Sequence, residues 1–261
     1  IIGFISYIYF SKGFNISNIN WITLQEPEHK NNWLHTSIQL ATHNIVRIES
    51  IKFLINQVKE LKCNEQFKIA LMEQKEIVNG MRPIDQIMAS NAVEIIELWS
   101  DLIHYKIYWK QVFISKSGAK GTIPIHTAVH RSVDIVRWCF NFIEDEEYWK
   151  NTLLIKASNN TTPIHLAVLQ HDTLKLCFVR INDINYWKNA LTIKGGDNDG
   201  TPMHNIIGGQ RKLSLKECFD FIKDKEFWQK TLLNKDKRGK TLVDVLLNFK
   251  DGLRLCTEFI N

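Results

Sequence analysis

Three histidines occupy the same position of a sequence string that recurs along the chain, which makes them the first candidates for chemistry. They are His126 in IPIHTAV, His165 in TPIHLAV and His204 in TPMHNII, and each is 39 residues from the next. An imidazole exchanges protons near neutral pH and binds metal ions. His130 lies four residues after His126, a spacing that helical zinc sites use. No HExxH string and no third ligand accompany this pair, so we expect no metal and predict histidines that bond to the backbone of their own or the adjacent turn.

Four of the five cysteines also share one position, in strings such as VRWCFNFI and LKECFDFI. They are Cys139, Cys177, Cys218 and Cys256. Apolar residues surround them at helical spacing, and neighbouring copies are one repeat apart, which predicts small buried side chains in a reducing compartment rather than disulfides. An alternative stays open, in which the chain is a Cys/His enzyme that uses Cys63, or His126 with His130. Because the repeat explains both residue types without chemistry, we predict no catalytic activity.

A third string, YWK or FWQ, places one tryptophan in each of four successive repeats. They are Trp109, Trp149, Trp187 and Trp228. Such a column could stack nucleobases, but leucine and isoleucine at helical spacing beside each tryptophan indicate a packed seam instead. The chain has 33 Lys and Arg against 28 Asp and Glu, and the resulting net charge of +5 does not call for nucleic acid. We therefore expect neither a nucleic-acid partner nor a cofactor.

Lysines recur in the polar loops between the repeats. Five of them form what we call the basic row: Lys75, Lys116, Lys156, Lys194 and Lys235. They are spaced by 41, 40, 38 and 41 residues, and the loop residues Lys120, Lys237 and Arg238 add positive charge. Such a row either binds an acidic protein surface or a phosphate-bearing ligand, or it is a solvated edge that keeps the chain soluble. Any binding surface is expected at these loop tips and on the faces of the first helices.

Each repeat predicts two helices. Thr162 and Thr201 are predicted N-caps, whose hydroxyl groups accept a hydrogen bond from a free backbone N–H. A proline follows at the first helical position, where a missing N–H costs nothing. Four prolines fit this place: Pro83, Pro124, Pro163 and Pro202. The first helix is predicted to have about seven to nine residues and to end near His130 or His171.

Two further features frame these helices. The residue before each cap is predicted to have a positive φ, which glycine and asparagine tolerate. These residues are Gly80, Gly121, Asn160, Gly200 and Gly239. After the second helix, the string around each YWK motif predicts a short extra helical turn, whose tryptophan fills the gap between neighbouring repeats.

The strings TPIHLAV, IPIHTAV and TPMHNII resemble the TPLHxA signature of the ankyrin repeat family. The family pattern is a β-turn and two helices, and its period of about 33 residues is shorter than the period of 38 to 41 found here. The resemblance implies an all-α, ankyrin-like helical repeat solenoid of about six repeats over residues 31–261. The repeats start near residues 33, 82, 123, 162, 201 and 241. The resemblance also implies that the repeated histidines are structural. It further implies that the chain is a protein–protein interaction module, such as a scaffold or adaptor, without catalytic activity. Armadillo and HEAT arrays rank behind, because they usually lack a TPxH start.

Residues 1–30 are predicted to form a separate N-terminal segment. Ile1–Phe10 is almost wholly apolar but shorter than the about 20 residues of a membrane span. We predict an apolar cap of the repeat domain, and the alternative is the remnant of a targeting or membrane segment. Membrane contact is expected only if Ile1–Phe10 belongs to a longer apolar segment. That alternative would make the chain the recognition arm of a larger membrane protein. It could equally make the chain an effector that an intracellular bacterium secretes into a host cytoplasm. Otherwise we expect a cytoplasmic protein whose partner is another protein with an acidic surface.

Overall fold

The fold is all-α over the residues that the computed structural model describes, which are 55, 56, 69, 73, 80–89 and 92–260. Fourteen helices with defined bounds and no strand lie within these residues. Isolated bridges pair Gly195 with Gly200 and Lys235 with Thr241 in two loops. The predicted all-α class is therefore confirmed for the described residues. The segment 1–30, the repeat near residue 33, Cys63 and Lys75 lie outside them.

The helices form four consecutive groups of three and a final pair. The first group is α1 (Pro83–Ala89), α2 (Val93–Leu102) and α3 (Lys106–Ile114). The second is α4 (Pro124–Arg131), α5 (Val133–Phe142) and α6 (Glu146–Thr152). The third is α7 (Pro163–Ala167), α8 (His171–Arg180) and α9 (Ile184–Ala190). The fourth is α10 (Pro202–Gly208), α11 (Lys212–Phe221) and α12 (Lys225–Thr231), and the pair is α13 (Leu242–Leu246) and α14 (Lys250–Ile260).

Two compact parts make up the chain. One consists of Ile1–Lys106 with Ser117–Ala119, and the other of Ile107–Lys116 with Lys120–Asn261. The first part contains α1 and α2. The second part contains α4 to α14 and nearly all of α3.

In the second part, helices of the same kind contact one another in chain order. The first helices α4, α7, α10 and α13 form one such series, and the second helices α5, α8, α11 and α14 form the other. The two series also contact each other, because α4 touches α5, α10 touches α11 and α13 touches α14. The contacts bury apolar residues at helical spacing, such as Ile135, Val136, Cys139 and Phe140 of α5. Each helix pair therefore buries its apolar face against its neighbours in the chain.

The turn before each first helix contains a residue in the left-handed conformation. The angle φ is positive at four of the five predicted positions: Gly80 (63°), Gly121 (55°), Asn160 (62°) and Gly239 (76°). The prediction for Gly200 is wrong, because the positive φ of that turn, 50°, belongs to Asp199. The left-handed residue stands five positions before the repeated histidine, and Asp199 holds that place before His204. An aspartate tolerates this conformation because its short side chain can hydrogen-bond locally.

The first helices differ in where they end. Helix α4 ends at Arg131, next to the predicted end at His130. Helix α7 ends at Ala167, and His171 is the first residue of α8, so the predicted end at His171 is wrong. The amides of Leu169 and Gln170 bond to carbonyls three residues back, at 3.1 and 3.0 Å. Such bonds tighten the last turn and stop an α-helix from continuing.

The YWK string forms a complete third helix rather than a single turn. Helices α6, α9 and α12 each have 7 residues, and α3 has 9. An aspartate caps three of them, and its carboxylate accepts the amide hydrogen three residues later. The distances are 2.9 Å at Asp145, 3.0 Å at Asp183 and 2.9 Å at Asp224. Each of α3, α6, α9 and α12 lies between the second helix of its group and the first helix of the next group.

Candidate interaction surface

His165 joins the start of its own helix to the following repeat. Its Nε2 donates to the carbonyl oxygen of Gly200, at 3.2 Å. Because Nε2 then carries the proton, Nδ1 is an acceptor. It accepts the backbone N–H of Thr162 at 3.2 Å and the hydroxyl of the same residue at 2.8 Å. Both ring nitrogens are therefore occupied by structural hydrogen bonds.

His126 and His204 hold equivalent places. Nε2 of His126 donates to the carbonyl of Thr161 at 3.0 Å, and its Nδ1 accepts the N–H of Ile123 at 3.2 Å. Nδ1 of His204 accepts the N–H and the hydroxyl of Thr201 at 3.0 and 2.9 Å. Nε2 of His204 is buried and has no hydrogen bond of good geometry among the described residues, although the backbone of Lys240 lies close enough to raise the pKa of the ring. Of the three repeated histidines, His126 and His165 therefore bond to the backbone of the following repeat, and His204 does not.

The three imidazoles are held neutral. Burial lowers the pKa of His165 to about 4, and the positive charge of Lys156 acts in the same direction. Burial is also the main cause that lowers the pKa of His126 and of His204. A neutral ring with both nitrogens engaged offers neither a free base nor a metal ligand, so the geometry of His126 and His165 is that of structural links.

The threonine hydroxyls do not act as predicted. At Thr162 and Thr201 the hydroxyl donates to the histidine Nδ1 and makes no capping bond to a helix amide. The unprotonated Nδ1 is an acceptor within hydrogen-bond distance, so the hydroxyl is oriented as a donor toward the ring. Only Thr241, whose repeat carries Asp244 instead of histidine, accepts a helix amide among these three threonines, at 3.2 Å.

The four repeated cysteines are buried and free. Burial raises the pKa of the Cys177 thiol to about 12 and that of Cys256 to about 11. It also raises the pKa of Cys139 and Cys218. Since the thiolate is the nucleophilic form, these thiols are poorly suited to nucleophilic chemistry.

The tryptophans of the third helices are fully buried, with no exposed surface at Trp109, Trp149, Trp187 or Trp228. Three of the indole N–H groups donate to the carbonyl that follows the second helix of the same repeat. Trp149 bonds to Ile143, and the equivalent bonds of Trp187 and Trp228 have the same length, 2.7 Å. Trp149 also lies edge-on to Phe140, with ring centroids 4.8 Å apart. No face of these rings remains for a base or a ligand.

Sequence reasoning missed a set of polar links between successive third helices. Nζ of Lys110 lies 2.6 Å from the carboxylate of Asp145, which caps the next third helix. Lys150 with Asp183, at 2.9 Å, and Lys188 with Asp224, at 2.5 Å, repeat the arrangement. The available signal was an aspartate three residues before the Tyr or Phe of each string, in DEEYWK, DINYWK and DKEFWQ.

Two tyrosine hydroxyls strengthen the same links. Tyr148 donates to the carbonyl of Lys110 at 2.8 Å, and Tyr186 donates to that of Lys150 at 3.0 Å. Phe227 takes the tyrosine position in the fourth group and has no hydroxyl, although Lys188 Nζ lies 5.7 Å from the centre of its ring. The YWK motif therefore uses all three of its side chains for packing or for contacts between repeats.

The described members of the basic row are exposed. They are Lys116, Lys156, Lys194 and Lys235. Lys194 lies 3.9 Å from Asp199, and the other three form no salt bridge within the described residues. Lys120, Lys237 and Arg238 are exposed as well. Lysines that packing and ion pairs leave free are available to a partner.

The loops that carry these lysines contact one another in series. The amide of Ser158 donates to the carbonyl of Lys120 at 3.0 Å. The amide of Lys237 donates to the carbonyl of Asn198 at 2.8 Å, and the guanidinium of Arg238 donates to the side chain of Asn198 at 3.0 Å. Successive loops therefore contact one another, and we call the loops that begin at Lys116, Lys156, Lys194 and Lys235 the loop edge.

Charge is unevenly distributed along this edge. Residues 156–161 contain one lysine and no acid, whereas residues 194–200 contain Asp197 and Asp199 beside Lys194. Residues 235–240 contain three lysines and Arg238 against Asp236. The edge is consequently positive on both sides of a weakly acidic segment, a detail that the even spacing of the lysines did not indicate.

The first helices present a second partly exposed face. The residue after each repeated histidine is half-buried, and so is the equivalent Val245: the others are Thr127, Leu166 and Asn205. The side-chain amide of Asn205 donates to the carbonyl of His165, at 2.8 Å. These side chains differ in size and polarity, which is typical of a variable contact surface rather than of a packing position.

Within the described residues, no three His, Cys, Asp or Glu side chains gather to hold a metal ion. None of the described helices has the length and apolar character needed to cross a membrane. Compared with models of known protein families and with curated proteins, the chain matches none.

Proposed function

We propose that the chain is an ankyrin-like array that recognises another protein and has no catalytic activity. One observation carries the proposal. The side chains that recur in each repeat, namely histidine, cysteine and tryptophan, pack in the interior or bond to neighbouring repeats. The lysines of the loop edge, in contrast, are exposed and largely unpaired. Arrays of this kind bind partners through an extended surface built from successive repeats.

The helix arrangement supports the array. First helices contact first helices and second helices contact second helices, in chain order. His126 and His165 each reach the backbone of the next repeat, as the resemblance to ankyrin repeats implies. We propose about six such repeats, of which the described residues contain four groups of helices and one final pair.

The surface supports recognition of a protein. The loop edge and the half-buried positions of the first helices combine charged, apolar and small polar side chains, which is the mixture found at protein–protein interfaces. The positive ends of the loop edge favour an acidic partner surface. A reducing, cytoplasmic location fits the free, buried thiols.

Affinity capture tests the proposal. The chain is immobilised, and proteins retained by the wild type are compared with those retained by Lys116→Glu/Lys156→Glu/Lys194→Glu. The control is Lys175→Glu/Lys223→Glu/Lys225→Glu, which changes the net charge equally at exposed lysines away from the loop edge. We expect specific proteins that the control retains and the loop variant loses. Failure of the wild type to retain any protein above an unrelated bait would contradict the proposal.

A further inference from the structure

We propose that the helix pair α13 and α14 binds the same pair of a second copy of the chain, in a dimer with twofold symmetry. This proposal goes beyond the recognition of another protein, and it uses no residue of the loop edge. It starts from four apolar residues of the pair, which we call the end face: Val243, Leu247, Leu253 and Ile260.

The end face is exposed, although the same repeat positions are interior in the preceding groups. Leu247 is 67% exposed, Leu253 is 41% exposed and Val243 is 39% exposed, while Ile260 is half-buried. None of the residues equivalent to the two leucines is more than 2% exposed. These residues are Val129, Val168 and Ile207 for Leu247, and Val136, Leu174 and Leu215 for Leu253.

The difference in exposure identifies the surface. Helices α13 and α14 pack against the fourth group and against each other, and no group follows them among the described residues. Positions that are buried between two neighbours and exposed beside one neighbour are those that a following element covers. The end face keeps the apolar residues of such a contact, whereas an outer face that stays in water is normally polar. An apolar patch of this kind marks an interaction site.

The polar links between third helices stop before the end face. Lys110, Lys150 and Lys188 each bind the capping aspartate of the following third helix. Gln229 holds the equivalent position in α12, and its neutral amide cannot form that ion pair. Helix α12 therefore lacks the link that joins each earlier group to the next, which favours an occupant other than one more group of the same series.

The charges beside the end face suit a second copy of it. Asp244 lies three residues before Leu247, and Lys250 lies three residues before Leu253. This spacing places each charged residue next to its leucine on the helix surface. Both charged residues are exposed, and neither forms a salt bridge within the described residues. The patch thus has an acid on α13 and a base on α14.

Twofold symmetry brings these opposite charges together. In such a contact the same patch meets itself, so that each pairing between the copies occurs twice. An axis parallel to the helices sets α13 of one copy against α14 of the other. Asp244 of each copy then faces Lys250 of the other copy, around a centre formed by the leucines.

The small size of the end face predicts a weak dimer. Interfaces below the standard size are transient, and we expect a dissociation constant on the order of tens of micromolar. Unfolding experiments at low micromolar concentration therefore measure the monomer, in which Leu247 is exposed.

Sedimentation equilibrium of the full chain at increasing concentrations tests the proposal. We expect a monomer–dimer equilibrium without larger species, because a twofold contact is closed. Leu247→Ser/Leu253→Ser should weaken the dimer at least about tenfold. Val179→Ser/Ile184→Ser is the matched control, since it changes two exposed apolar residues of the third group, and it should leave the equilibrium unchanged.

Exchanging the two charges tests the symmetry. Asp244→Lys alone and Lys250→Asp alone should each weaken the dimer about tenfold or more, because like charges then meet twice. An equimolar mixture of these two variants should dimerise about as well as the wild type, since both pairs are again opposite in charge. The mixture of Glu144→Lys with Lys223→Asp is the control. Far-ultraviolet circular dichroism shows that each variant remains folded.

Three results would overturn the proposal. They are a wild type that stays monomeric at every concentration up to about ten times the expected dissociation constant, a control pair that weakens the dimer as much as the leucine variant, and a charge mixture that dimerises no better than its components. Assembly that grows beyond the dimer would indicate a head-to-tail contact and would overturn it as well. None of these results bears on capture of proteins by the loop edge.

Discussion

Nζ of Lys150 lies 2.9 Å from a carboxylate oxygen of Asp183, which caps the third helix of the following repeat. This single contact joins two functions in one aspartate. The carboxylate satisfies a free amide at the start of α9, and it also binds the preceding third helix. The backbone N–H of Tyr186 and then the ammonium of Lys150 lower the pKa of Asp183.

Removing this carboxylate should loosen α9. We expect Asp183→Ala to lower the unfolding midpoint by about 2–4 °C, because the variant loses both the cap and the link between repeats. Lys150→Met should have a smaller effect, since it leaves the cap in place. Glu144→Ala, which removes an exposed carboxylate of the preceding repeat, is the control. Thermal unfolding by circular dichroism measures all three, and an Asp183→Ala midpoint equal to that of Glu144→Ala would refute a linking role.

Acid should lower the free energy of unfolding, because the folded chain keeps His165 unprotonated. The pKa of His165 is about 4 in the folded chain, below its ordinary value of 6.5. Between these values the unfolded chain binds a proton that the folded chain does not. Stability is therefore complete above pH 6.5 and falls as the pH decreases toward 4. Urea unfolding at several pH values measures this slope.

A variant isolates the contribution of His165. His165→Gln should be less stable at pH 7.5 by about 1–3 kcal/mol, because buried hydrogen-bonding groups lose their partners. Its stability should also depend less on pH than that of the wild type, since one proton-binding group is gone. An unchanged pH dependence in His165→Gln would show that other groups are responsible.

The hydrogen bonds of the buried indoles in the third helices should contribute more to stability than the size of the rings alone. Trp187→Phe removes the donor to the Ile181 carbonyl and leaves a small cavity, with an expected loss of about 1–3 kcal/mol. Trp138→Phe changes a half-buried ring on the second helix and should cost less. Denaturant unfolding followed by circular dichroism measures the free energy of unfolding of both variants. Equal losses of this free energy would show that the buried indole hydrogen bond of Trp187 adds nothing to stability.

One repeat position changes its environment at the final helix pair. Val168, directly after α7, is fully buried, whereas Leu247, its equivalent directly after α13, is 67% exposed. We expect Val168→Ala to cost about 1–3 kcal/mol and Leu247→Ala to stay within about 0.5 kcal/mol. Chemical unfolding measures the difference. Similar losses at both sites would mean that Leu247 is covered in solution.

Much of the local fold could be predicted from the sequence. Helices α1, α4, α7 and α10 begin at the prolines expected to start them. The proline and the histidine two places later are local signals, and their physics does not depend on the rest of the chain. The left-handed residue was misplaced only where an aspartate, Asp199, stands in the glycine position.

The missed features depend on contacts between repeats. Asp183 looks like an ordinary polar residue until the fold brings Lys150 beside it. The hydroxyl of Thr162 likewise turns to the ring of His165, because the bond from His165 to Gly200 fixes the proton on the other nitrogen. Sequence patterns give the members of such networks but not which atoms meet.

Hydrogen–deuterium exchange of the full chain with a captured protein tests protein recognition through the loop edge most directly. We expect slower exchange in residues 156–161 and 235–240 and at the half-buried positions of the first helices. Residues of the second helices, such as those around Lys175, should exchange at unchanged rates. Protection confined to the second and third helices, with the loop residues unaffected, would contradict the account.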